Sequence, residues 1–162
     1  MEKDYHNHYV DGHELLRKKL GDRYKDLLPI LSGMDDYGSK KERKNIKKYG
    51  APSRETWAFD STLAAFLYEH IKMFEAVTIT DIDNTDEYFM YDIPTWESYL
   101  KWSDDTDYKF DVSHVTLRQA LDIVADSCLN YLTDSEYDYD TTIEYFQYGL
   151  HVLAEVIYAF GW

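Results

Sequence analysis

Apolar side chains recur at steps of three and four over several stretches of this chain, the spacing that lines one face of an α-helix. In HELLRKKLGDRYKDLLPILSG, Leu16, Leu20, Tyr24, Leu27, Leu28 and Leu31 keep that period. Asp11 and Glu14 give a D-x-x-E start related to the capping box, while Gly21 and Pro29 interrupt the run, so one helix or two short ones are predicted. The stretch GSKKERKNIKKYGAPS then loses the period, and Gly33, Gly38, Gly50 and Pro52 punctuate it. It reads as a basic connector over residues 33–52. From Ser53, a suitable N-cap, RETWAFDSTLAAFLYEHIKMFEA sets Trp57, Leu63, Leu67, His70 or Ile71, and Phe74 along one side. That predicts a helix of about five or six turns.

The next segment, residues 78–112, is acidic and aromatic. TITDIDNTDEYFMYDI reads as a short strand pair and TWESYLKW as one short helix. From about Ser113 to Leu132 the helical period returns through Leu117, Leu121, Val124 and Cys128. A last helix is predicted from about Thr141, with Phe146, Leu150, Leu153, Ile157 and Phe160 on its apolar face and Trp162 packed at the end. Each apolar stripe has to bury against another, so the fold class is all-α. The predicted architecture is a three- to four-helix bundle in a single domain over 1–162, with residues 1–12 as a tail and 78–112 as an acidic insert holding a short hairpin.

Composition sharpens this picture. The chain has 162 residues and 16 tyrosines, enough large side chains for a core without disulfides or a structural metal. Its single cysteine, Cys128, permits no internal disulfide, sits on an apolar stripe and reads as core. Neither a signal-peptide core nor a membrane-length apolar run is present, which leads to an expected cytoplasmic location. Net charge is −14, and it is unevenly spread: residues 1–50 hold 9 acids and 12 bases, leaving 22 acids and 5 bases for the rest. A field of that sign repels nucleic acid and anionic lipid and attracts basic surfaces. Direct nucleic-acid binding and membrane binding are therefore not expected.

Trp57-x-x-Asp60 leading into Leu63-Ala64, the helix Leu121 to Leu132, and Gly149-Leu150 running to Trp162 together resemble a loosely defined set of small tailed-bacteriophage helical proteins. The likeness covers roughly residues 53–76 and 115–162. Trp102 stands away from the central helix, where that set places a tryptophan directly before it. The resemblance implies a phage origin and a helical fold, and it implies no activity; Trp57, Asp60 and Trp162 are read as structural residues.

Several constellations invite chemistry. Counting about 100° per residue from Leu63 places Asp60 and His70 within or beside the apolar stripe, but ten residues of helix separate them by about 15 Å. An acid/base or metal pair is thus less favoured than a structural Asp60 that caps a helix turn or bonds Trp57 or a tyrosine. Asp122 and Asp126 have the spacing of a magnesium pair, yet they point away from the apolar side and read as solvated charges, as does Glu69. His6, His8 and His13 with Asp4 and Asp11 offer metal ligands on a tail. The DIDNTDE loop, through Asp81, Asp83 and Thr85, lacks the glycine and glutamate of a calcium loop. No P-loop, G-x-G-x-x-G, nucleophile elbow or zinc-type cysteine pair occurs.

The functional expectation is a phage-encoded acidic interaction protein in an infected bacterium. It would inhibit a host or antiviral-defence protein, of CRISPR or another nucleic-acid-binding kind, by covering a basic surface as a DNA mimic does. The expected contact residues are Asp81, Asp83, Asp86, Glu87, Asp104, Asp105 and Asp107, with Asp134, Glu136, Asp138 and Asp140 as a second patch, and tyrosines beside them add contact area. No catalytic residue, cofactor or metal is assigned, and a homodimer is left open. The alternatives are a sequesterer of small signalling nucleotides using the Lys40–Lys48 run for phosphates, and a metal-dependent nucleotide hydrolase relying on Asp60.

Overall fold

The amphipathic runs become five α-helices among the residues that the computed structural model describes, namely 12–21, 44, 47, 48, 59–78, 82–104, 107, 109–133 and 137–160. They are α1 (Gly12–Leu20), α2 (Phe59–Val77), α3 (Trp96–Asp104), α4 (Leu117–Leu132) and α5 (Tyr139–Val156), with 3-10 turns at Glu87–Phe89 and Ile157–Phe160. The mostly helical class is the one predicted. The predicted start of α2 at Ser53, the apolar positions from Tyr24 to Leu31, and Trp57 and Trp162 lie outside the described residues.

Local chemistry sets several of the helix limits. Gly21 ends α1 with φ +54, a left-handed conformation that glycine adopts without a Cβ clash, and its N–H donates to the Arg17 carbonyl at 3.0 Å. A full capping box opens α4: the Thr116 hydroxyl accepts from Gln119 N–H, and the Gln119 side chain accepts from Thr116 N–H. The Asp138 carboxylate caps α5 by accepting from Thr141 N–H at 2.9 Å. At α3, the Thr95 hydroxyl accepts from Ser98 N–H at 3.2 Å.

The strand pair differs from the prediction. β1 (Met90–Pro94) falls inside the predicted segment, but its partner is β2 (Val112–Thr116), antiparallel with Met90 opposite Thr116 and Pro94 opposite Val112. α3 fills the connection between them. Ser113–Thr116 is therefore strand rather than the first turn of α4, since the capping box starts the helix only at Leu117. Thr95 N–H donates to Asp111 O and Asp111 N–H donates to the buried Ser98 hydroxyl, which pins the start of α3 to the residue leading into β2.

α4 lies at the centre. It packs on α5 and on α2, α1 packs on α2, and the sheet rests on α4 and α5. Leu117, Leu121, Val124 and Cys128 are buried along α4, and Leu16 and Leu20 along α1, on the positions their periods predict. The other two long helices are turned relative to prediction. α2 buries Ala64, Ala65, Tyr68, Ile71 and Glu75, leaving Leu63, Leu67 and Phe74 half-buried at the flank. α5 buries Phe146, Tyr148, Gly149, Val152 and Val156; Leu150 and Leu153 flank the core, and Ile157 is 57% exposed. The reason on α5 is Gly149, where a Cβ would stand 1.8 Å from Ser127 Oγ and 2.7 Å from Ser127 Cβ. The backbone of α5 approaches α4 there, and that contact decides which side faces inward.

Most aromatics of the acidic insert join this core rather than the surface. Tyr99 is buried, and Trp96, Trp102 and Phe110 are half-buried with it against Tyr145, Tyr148 and His151 of α5. The Tyr148 hydroxyl donates to the Pro94 carbonyl at 2.8 Å, tying α5 to β1.

Candidate functional site

The predicted contact carboxylates divide into three groups. Asp83, Asp86, Glu87, Asp107, Asp138 and Asp140 are exposed. Asp104 ends α3, with its side chain outside the described residues, and Asp81, Asp105, Asp134 and Glu136 lie wholly outside them. Two of the exposed acids also serve the fold. Asp83 accepts from Arg118 Nε at 2.6 Å. Asp138 caps α5, and the bonds it accepts from the Thr141 N–H and hydroxyl hold its carboxyl below the ordinary range.

Exposed aromatics stand directly beside these acids. Tyr88 is 95% exposed between Glu87 and Phe89, and Phe89 is exposed as well. Tyr137 and Tyr139 are exposed on either side of Asp138. Rings left in water at such positions are available contact area. Of the basic run, Lys44, Lys47 and Lys48 are exposed and helical; the rest lies outside the described residues.

Asp60 and His70 are engaged separately. The Asp60 carboxylate, in the first turn of α2, accepts a hydrogen bond from the Tyr131 hydroxyl of α4 and another from Ser61 N–H. The Tyr131 bond, reinforced by Ser61, holds Asp60 below its ordinary value, while burial and then Asp60 push the Tyr131 phenol up to about 12. His70 Nδ1 lies 2.8 Å from the Phe66 carbonyl, and the His70 ring stacks on Phe66. Cys128 is buried, and burial pushes its thiol up to about 12, so it carries no thiolate at neutral pH. Among the described residues no group of three or more His, Cys, Asp or Glu side chains is placed to hold a metal ion.

Asp122 and Asp126 are exposed but not merely solvated, for they line a cleft of about 480 Å³. Lys19 comes to it from α1, Tyr68 and Lys72 from α2, and Tyr145 from α5, over an apolar floor of Ile123, Ala125 and Leu129. Lys72 bridges two helices, donating to Glu75 Oε2 at 2.9 Å and to Asp122 Oδ1 at 2.8 Å. Burial works against its ammonium, yet the bonds to Asp122 and Glu75 outweigh it and keep Lys72 above its ordinary value. Glu75 is 9% exposed, and its Oε1 has no hydrogen-bond partner among the described residues. Burial raises the Glu75 carboxyl despite Lys72 beside it. On the far side of the cleft, Tyr145 donates to Asp126 Oδ2 at 2.8 Å, and burial followed by that carboxylate raises the phenol above its ordinary value.

Sequence reasoning passed over Lys72, Glu75 and Tyr145. A signal was present for Glu75: Ala64, Tyr68, Ile71 and Glu75 continue one helical line, and only the acid at its end breaks the apolar pattern. Comparison of the chain with models of known families, with characterised proteins and with solved structures finds no match. No helix among the described residues is long and apolar enough to cross a membrane.

Proposed function

We propose that this protein is a binding module whose acidic, aromatic surface seats on a basic site of another protein. In its finer form the reading is a phage-encoded inhibitor that covers the nucleic-acid groove of a host or antiviral-defence protein. The observation that carries it is the adjacent pair of exposed rings Tyr88, 95% exposed, and Phe89, with the exposed acids Asp86 and Glu87 beside them, the mix of aromatic area and charge that suits a basic partner surface. Charge gives long-range attraction to a basic partner and the rings give contact area on arrival. The phage origin rests on the resemblance of the Trp57, Leu121–Leu132 and Gly149–Trp162 segments alone.

Capture of partners from bacterial lysate, followed by titration of the purified partner, tests this. Binding weakens markedly as salt rises from about 50 to about 500 mM, because interfacial charges are screened, and duplex DNA competes for the same partner surface. Tyr88→Ala and Asp86→Asn with Glu87→Gln each weaken capture by about tenfold or more. Affinity indifferent to salt, to DNA and to these substitutions would end the proposal. A nucleotide sequesterer draws less support, since Lys19 and Lys72 share the cleft with Asp122 and Asp126, which repel phosphate.

A further inference from the structure

The cleft between α1, α2, α4 and α5 holds two charges, Lys19 and Asp126, that no opposite charge among the described residues neutralises. Lys72 is committed, held between Glu75 and Asp122. Lys19 and Asp126 line the same cavity and belong to no ion pair among the described residues. Among the described residues the Asp126 carboxylate accepts from neutral donors, the Tyr145 hydroxyl at 2.8 Å and the Asn130 amide at 3.2 Å. Both Lys19 and Asp126 are exposed, on helices α1 and α4, so water reaches them. A molecule bearing both signs replaces that water with two charge-assisted bonds.

The ligand class follows from what each alternative meets. A simple anion reaching Lys19 meets Asp122 and Asp126 in the same cavity, and a simple cation reaching Asp126 meets Lys19 and Lys72. One molecule with both ends satisfies the two uncommitted charges together. Tyr145, half-buried at the cleft, offers ring surface that attracts an organic cation, and Leu129 accepts an apolar body. The volume of about 480 Å³ lies within the range of small-molecule pockets. We infer that this cleft binds a small amino-acid-type zwitterion, with its ammonium or guanidinium on Asp126 beside the Tyr145 ring and its carboxylate on Lys19.

Isothermal titration calorimetry on the full chain tests it with L-arginine and L-phenylalanine as probes. Agmatine, which lacks the carboxylate of arginine, and phenylpropionate, which lacks the amine of phenylalanine, serve as one-ended controls. At least one amino acid binds, and its one-ended counterpart binds about tenfold more weakly or not at all. Asp126→Asn, which keeps an acceptor for Tyr145, and Lys19→Gln each weaken the amino acid about tenfold while circular dichroism shows both variants folded like the parent chain. The inference is overturned if neither amino acid binds, if the one-ended compounds bind equally well, or if both variants bind like the parent chain. Glu87→Gln leaves this binding intact and Asp126→Asn leaves partner capture intact, so failure here and failure of the acidic-surface reading are told apart.

Discussion

Two carboxylates on α2 respond to pH in opposite senses because their surroundings differ. Asp60 is held below its ordinary value of 3.8 by the Tyr131 hydrogen bond, so its contribution to stability is present above that value and is lost as pH falls through the lower folded value. Tyr131→Phe removes the donor and lowers unfolding free energy by about 1 kcal/mol near neutral pH, read by chemical denaturation. Glu75 is raised above 4.5 by burial, so its contribution is fully present below 4.5 and is lost as pH rises through the higher folded value. Glu75→Gln cannot ionise and still offers an oxygen to Lys72. Its melting temperature relative to the parent chain therefore climbs as pH rises from 4.5; parallel melting curves across that range would show that the buried charge costs the fold nothing. Neither residue's partner could be read locally, for Asp60 meets Tyr131 across the α2–α4 seam, and Glu75 is buried only because α2 turns that edge inward.

At the scale of elements, two features govern α4 and α5. The capping box makes Thr116 the hinge between β2 and α4, and Thr116→Ala costs about 1 kcal/mol of stability by denaturant melting. Its T-x-x-Q signature stands in the sequence, but Ser113, His114 and Val115 suit a strand or a helix start equally well, and only pairing with β1 selects strand. The seam between α4 and α5 closes at Gly149 against Ser127. Gly149→Ala overpacks it and costs about 1–3 kcal/mol. Ser127→Ala placed on that variant recovers part of the loss, because the 1.8 Å contact goes while the 2.7 Å contact with the Cβ remains. A double-mutant cycle measures the recovery.

Over the whole molecule, the net charge of −14 sets the response to solution conditions. Like charges repel within the compact state, so added salt raises the melting temperature at neutral pH until screening is complete, as a thermal melt across salt concentrations shows. Tyr88→Ala changes stability by less than about 0.5 kcal/mol, since the ring is 95% exposed, and so isolates a surface role from a folding role. The acidity of the candidate surface was legible from composition. Its geometry was not: Trp96, Tyr99 and Trp102 share the insert with Tyr88, yet they pack against α5 while Tyr88 faces water. The cleft was illegible as a unit because four helices contribute to it.

The helical class and the buried lines Leu16–Leu20 and Leu117–Leu121–Val124–Cys128 are properties of short windows. Period, backbone freedom and solvation act on neighbouring residues, so the sequence by itself determined them. The partner of β1, the inward side of α5, the burial of Glu75 and the bridge from Lys72 to Asp122 came only with the tertiary structure. Each depends on which two surfaces meet, and that is settled by the joint packing of remote segments around α4, where one close approach at Gly149 outweighs the apolar preference of Leu150, Leu153 and Ile157.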